Sequence, residues 1–158
     1  ARVGLPMVVA IIGGEPVRFA PFVQLYRRAL AELGRPDLPV AVHSPGHVAA
    51  TDEEAFARFI PHQRAMRARI GAERGWPAPT EAEFRHEVER GSLYVGSADT
   101  VAAKIATTVR ELGIQRFDLK YSGGTLPHEH ALDSIERFGR DVIPKVRELL
   151  GETPITDQ

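Results

Sequence analysis

Apolar residues fall along this chain in two rhythms, one continuous and one helical. Met7-Val8-Val9-Ala10-Ile11-Ile12 is unbroken, rich in β-branched residues and ended by Gly13-Gly14. A short apolar run without alternation predicts a strand buried on both faces, as in a parallel sheet. Beyond Pro16, the residues Phe19, Phe22, Val23, Tyr26 and Leu30 recur at helical spacing, predicting a helix over Val17 to Leu33 with Gly34 as its stop. Pro21 belongs in the first turn or two, because a deeper proline would kink the helix. Val40-Ala41-Val42-His43 is a second strand, and Ser44-Pro45-Gly46 after it has turn composition. Thr51 with Glu54, and Thr80 with Glu83, stand at capping-box spacing. The first pair opens a helix to about Ile70, with a break or bend near Pro61; the second opens a short one over 81–89. Leu93-Tyr94-Val95-Gly96 is a brief extended piece. Ser97 then caps a helix carrying Val101, Ile105, Val109 and Leu112 inward, which Gly113 ends. Phe117 to Tyr121 alternates as a third strand, broken by Ser122-Gly123-Gly124, and the last helix covers His128 to Leu150 with a bend at Pro144.

Strand followed by helix, three times over, predicts an α/β fold with a parallel sheet and helices outside it. Three strands leave both sheet edges bare. They suit the last part of an eight-unit barrel, although an open α/β layer has the same order. One domain is expected over 1–150, with a helical insertion at about 71–92 and a loose tail over 151–158. The first residue is Ala1 and the chain enters a strand almost at once, as a segment of a longer protein would.

Composition narrows the function less than the pattern does. A formal charge of -1 offers no general attraction to nucleic acid or to an anionic membrane. No apolar run approaches the length of a membrane span. The absence of cysteine removes disulfides, zinc-thiolate sites and thiol nucleophiles, and is compatible with a cytoplasmic location.

Candidate chemistry gathers where strands end. Gly13-Gly14, between strand and helix, either lets a phosphate or ring approach bare backbone or only makes a tight turn. His43 and Ser44 end the second strand; the imidazole can hydrogen-bond a ligand and relay a proton, or else fix the turn behind it. His47 lies just past that turn. Ser122-Gly123-Gly124 ends the third strand ahead of a long helix N-terminus, a place for a ligand or simply a loop with a cap. Lys120, alternating with Leu119 and Tyr121, can face the interior at the ligand end. His128, Glu129, His130 and Asp133 lack a further ligand at suitable spacing, so no metal site is expected. Trp76 reads as a lid anchor or as the plug of an excursion.

Several segments resemble the luciferase-like flavin-dependent monooxygenases. Gly4-Leu5-Pro6 with its strand to Gly14, and Val40 to Ser44 with Val48 to Ala55, are similar to the closing half of that family. Gly96-Ser97-Ala98-Asp99-Thr100-Val101-Ala102-Ala103-Lys104 resembles its helix opening, with Ala98 where proline is usual. Leu112 to Asp118, Gly123 to Glu129 and Phe138 to Pro144 resemble its final strand, loop and helix. The resemblance implies the C-terminal part of a (β/α)8 TIM barrel that uses reduced FMN, or less readily F420, with dioxygen on a small organic substrate. It implies a partner flavin reductase, and either a homo-oligomer or an N-terminal barrel segment to complete the fold. In that frame His43 is the catalytic candidate, and Gly13, Gly14, Ser44, Ser122, Gly123 and Gly124 are the cofactor-binding candidates. The alternatives are a noncatalytic half-barrel acting through self-assembly, or a small α/β domain holding a phosphorylated ligand at Gly13-Gly14.

Overall fold

A computed structural model of the chain describes residues 1–151. The order is β1 (Met7–Ala10), a 3-10 turn (Pro16–Phe19), α1 (Ala20–Glu32), β2 (Val40–Val48), α2 (Asp52–Arg74) and α3 (Glu81–Glu89). There follow β3 (Tyr94–Gly96), α4 (Ala98–Leu112), β4 (Arg116–Lys120), α5 (His128–Arg137), a π-turn (Phe138–Val142) and α6 (Ile143–Leu150). Among the described residues all strand pairings are parallel and all involve β2. Met7 to Ala10 pair with Val40 to His43, Arg116 to Lys120 with Ala41 to Pro45, and Tyr94 to Gly96 with Gly46 to Val48. The sheet is open, an α/β arrangement consistent with part of a barrel. Apart from Gly151, the expected tail lies outside the described residues.

The two faces of the sheet differ. Val40 and Val42 of β2 pack with Val23, Tyr26 and Leu30 of α1 and with Leu112 and Ile114, joined by Met7, Val9 and Phe117. Val48 and Tyr94 pack with Val101, Ala102 and Ile105 of α4 and with Val142, joined by Leu119. Helices therefore cover this outer face. Because neighbouring strand residues point to opposite faces, Val8, Ala10, Ala41, His43, Arg116, Asp118 and Lys120 lie on the inner face. That face is bare along its lower part, where Val8 is 59% exposed and Ile12, just beyond β1, is 71% exposed. Only near the C-terminal ends of the strands is it roofed: Phe59 and Ile60 of α2 and Phe84 of α3 pack over Val95 and Leu93.

Four elements depart from the sequence expectations, each for a local reason. The Ser44-Pro45-Gly46 turn does not form, and β2 runs straight through it. Pairing with β1 ends at His43 and pairing with β3 begins at Gly46, so the missing N–H of Pro45 falls between the two ladders. Gly46 is required there: a Cβ would lie well inside contact with the Tyr94 carbonyl oxygen. The extended piece at Leu93 is a true sheet strand, β3. α2 is one continuous helix to Arg74 with Pro61 inside it, ended by Gly75 in the left-handed region at φ 68°. The final helix is two helices joined by a π-turn, in which the N–H of Ile143 reaches the Phe138 carbonyl. Pro144 then occupies the first turn of α6, where its lack of an N–H is harmless. Pro21 likewise sits in the first turn of α1 after the 3-10 turn.

Candidate functional site

The inner face is best described as rows running across the strands. Val8, Ala41 and Arg116 share one row; Ala10, His43 and Asp118 the next; Pro45 and Lys120 the one after. His43 is half-buried and is paired across the sheet with Asp118. Asp118 in turn accepts from Arg116 Nε at 2.7 Å. An imidazole, a paired carboxylate and an ammonium are thus brought to the upper part of one sheet face, near the strand ends where barrel enzymes place working residues.

Above these rows the face closes. His47 is fully buried, its ring stacked on Phe59 of α2 with centroids 5.6 Å apart and planes 6° from parallel. Among the described residues neither ring nitrogen has a hydrogen-bond partner. Burial pushes its pKa down to about 4; the Arg58 and His130 charges add to this, while Asp133 and Glu54 oppose it. Phe59 also fills the space beside Gly123, where a Cβ would sit 2.9 Å from the ring. His62 Nδ1 lies 2.7 Å from Thr125 Oγ1. Arg58 pairs with both Glu54 and Asp133, and Arg137 holds the other Asp133 oxygen at 2.8 Å. Through these contacts α2 is fastened across the ends of β2 and β4.

The end of β1 is fastened by a different residue. The Glu87 carboxylate accepts from Gly14 N at 3.1 Å, Ser92 N at 2.9 Å and Ser92 Oγ at 3.0 Å. Burial alone would raise its pKa, but these hydrogen bonds outweigh it and hold the group below the ordinary carboxylate range. Lys104 of α4 donates to the carbonyls of Glu87, Val88 and Leu93 at 3.2, 2.6 and 2.9 Å, closing the C-terminal end of α3. Burial draws its pKa down to about 8 against the Glu87 charge.

The sequence candidates therefore occupy different places. His43 stands on the open inner face, and it and Ser44 lie in the middle of β2 rather than at its end, because the strand continues to Val48. Among the described residues nothing comes within 4 Å of where a Gly13 Cβ would be, so its backbone is approachable. Ser122 is exposed, and Gly124 takes a left-handed turn at φ 61°. Gly14 N–H is taken by Glu87, and Gly123 accommodates Phe59. Ser44 is buried with its hydroxyl 2.7 Å from the Ile11 carbonyl and 2.9 Å from that of Ser92; its single proton serves one at a time. Trp76 is exposed, with Arg74 over its ring at 5.0 Å.

Glu87 and Arg58 were not singled out from the sequence, since a glutamate or arginine on a helix reads as solvated surface. Lys104 was visible only as part of the family-like helix opening. Among the described residues no group of three or more histidines and carboxylates could hold a metal ion. No described helix is long and apolar enough to cross a membrane.

A parallel sheet with helices on its outer face, and with ionisable side chains on its inner face near the strand C-termini, is the architecture of a β/α-barrel segment. Residues 1–116 match the family described as luciferase-like monooxygenase, and the chain belongs to that family. Among solved structures, a monooxygenase from Streptomyces bottropensis aligns with a TM-score of 0.70 at 20% identity, over 90% of this chain and 42% of its own. The oxygenating constituent of 3,6-diketocamphane monooxygenase from Pseudomonas putida, in complex with FMN, aligns with a TM-score of 0.60 at 23% identity, over 87% and 42%. A more distant likeness is the F420-dependent tetrahydromethanopterin reductase of Methanopyrus kandleri, with a TM-score of 0.53 at 17% identity, over 87% and 44%. The chain thus spans under half the length of each. No curated protein matches it.

Proposed function

We propose that this chain is the C-terminal portion, over 1–150, of a flavin-dependent oxidoreductase barrel that acts with reduced FMN and dioxygen on a small organic substrate. The observation that carries this reading is the family match over residues 1–116, on a sheet whose inner face bears His43 close to the strand ends. Bound flavin supplies the oxygen chemistry; everything else falls to the protein.

The residues fit a flavin in part. Gly13 leaves its backbone open to a flat ring or a phosphate, and Ser122 with Gly124 offers a hydroxyl on a permissive turn. Gly14, Ser44 and Gly123 contribute by holding the walls, through Glu87, the Ile11 and Ser92 carbonyls, and Phe59. His43 hydrogen-bonds the substrate or the flavin edge and carries a proton at a ring nitrogen. The roof made by α2 keeps water from the upper cavity. The bare inner face, with Val8 and Ile12 uncovered, is closed by the remaining strands of the barrel, and reduced flavin arrives from a partner reductase. The exposed apolar residues on that face also favour a second reading, a half-barrel that assembles through it without catalysis.

FMN titrated into the purified chain, followed by flavin fluorescence and by native mass, tests the proposal. Saturable quenching at one flavin per chain or per assembly, weakened by His43→Ala, supports it. Assembly of the chain with no flavin response at any concentration leaves the second reading in its place.

A further inference from the structure

We infer that Lys120 is the receptor for an anionic head group, a carboxylate or sulfonate, on the small organic substrate. This deepens the flavin-oxidoreductase reading and rests on it for the identification of the inner face as a cavity wall.

The position follows from packing on both sides of β4. Phe117 and Leu119 turn toward the helices, so Arg116, Asp118 and Lys120 share the inner face. The register sets Lys120 beside Pro45, one row above His43 and Asp118 and below the level of His47, which Phe59 already covers. Lys120 is the last residue of its strand. It therefore stands in the uppermost row of the inner face that α2 leaves open.

Charge accounting singles it out further. The chain has three lysines, Lys104, Lys120 and Lys145. Lys104 spends its three N–H donors on three carbonyls, and Lys145 pairs with Asp99. Lys120 has neither an ion-pair partner nor a hydrogen-bond acceptor among the described residues, although it is half-buried. The other strong cation on the face, Arg116, is neutralised by Asp118 at 2.7 Å. A cation that a closing cavity strips of water must meet an anion, because an unpaired buried charge is among the costliest features a protein can carry. No carboxylate among the described residues meets it, and its neighbour across the sheet is a proline with no N–H to compete.

The chemistry of the anion follows from the kind of donor Lys120 is. Phosphates are gathered by glycine-rich turns and helix N-termini, whose several N–H groups converge on one oxyanion. Lys120 instead offers a single flexible ammonium on a strand, a compact point charge suited to a small monoanion. His43, diagonal to it in the next row, can donate a second hydrogen bond. A substrate held there by its anionic end would lie over the His43 row.

The test uses the whole 158-residue chain with 13C-labelled lysine, whose three side-chain signals are assigned by Lys120→Arg. Octanesulfonate and octanoate are titrated against octanol. The Lys120 signal should shift saturably with both anions and not with octanol, while Lys104 and Lys145 stay in place. Lys120→Met should weaken the anion affinity at least tenfold, and Lys120→Arg should keep most of it, with circular dichroism showing both variants folded. Equal shifts for octanol, equal shifts at Lys145, or no Lys120 response would each overturn the inference. FMN titrated in parallel separates the two ideas. Flavin binding without a Lys120 response to anions removes the head-group site and leaves the flavin reading standing. An anion response without flavin binding supports the site and removes the flavin reading.

Discussion

The buried imidazole of His47 couples the stability of this fold to pH in a window that can be worked out beforehand. Its pKa falls from an ordinary 6.5 to about 4 on folding, chiefly through burial. Because the folded value is the lower one, the unfolded chain takes up its proton first. The stabilisation is therefore fully present above about pH 6.5 and is lost progressively as the pH falls toward 4. At 1.36 kcal/mol per unit the whole effect is about 3 kcal/mol, of which about 2 kcal/mol is gone by pH 5. The groups facing the ring are Arg58, His130, Asp133 and Glu54, and of these Arg58 and His130 add to the depression. His47→Phe preserves the stack on Phe59, removes the titration and removes two unpartnered nitrogens. Urea unfolding at pH 7.5 and pH 5 should show the parent losing about 2 kcal/mol more than the variant between the two values. The rest of the chain is common to both proteins and cancels in the difference. Equal losses in parent and variant would refute the account, since they would mean that His47 protonates in place without penalty.

Three further expectations concern the frame around the site. Lys104→Met leaves the Glu87, Val88 and Leu93 carbonyls without their donor and should cost about 3 kcal/mol in chemical denaturation. Gly46→Ala drives a methyl group into the Tyr94 carbonyl oxygen and should cost about 3 kcal/mol or more, seen as a large fall in Tm or as insoluble protein. Glu87→Gln replaces the charged acceptor of Gly14 and Ser92 with a neutral one. Because the pKa of Glu87 is lowered in the fold, its contribution exists above the usual carboxylate range and disappears as pH falls below it. The variant should therefore be less stable than the parent at pH 7 by about 1 kcal/mol, discounted for partial exposure, and the gap should narrow in acid. A gap that stays constant with pH would show that the carboxylate's charge contributes nothing.

Much of this fold could be read locally, and what could not was decided at long range. The run ending at Gly13-Gly14 and the stripe of α4 announced themselves because period and stop signals agree within a few residues. β2 did not, because Ser44-Pro45-Gly46 has every local mark of a turn. It stays extended because strands about fifty and seventy residues further along the chain pair with it on either side of the proline. The break expected at Pro61 gives way to the packing of Phe59 and Ile60 over β3, and the bend at Pro144 becomes a wider turn immediately before it. For the site, the glycine content of the turns was visible and so was His43 as a strand residue, but not its place in the middle of β2, which runs on to Val48. The roles were not: Gly14 and Ser44 are engaged by residues whose partners lie tens of positions away. His47 was noticed only as a neighbour of a turn that does not exist.

Every strand of this sheet leans on β2, and that has a consequence for how the chain comes to be folded. As the polypeptide lengthens, β1 can find β2 once residue 48 is available, joining segments only about thirty residues apart. The opposite edge of β2 has no partner until Arg116 to Lys120 have been made. Through that interval a nine-residue strand with a bare edge must be kept from pairing with strangers. Helix α2, which starts four residues after β2 and whose backbone hydrogen bonds are local, is the first element able to shield its upper end. The roof of the site would then double as a guard during synthesis. A chain halted before residue 116 should be far more prone to aggregate than one halted just after residue 120.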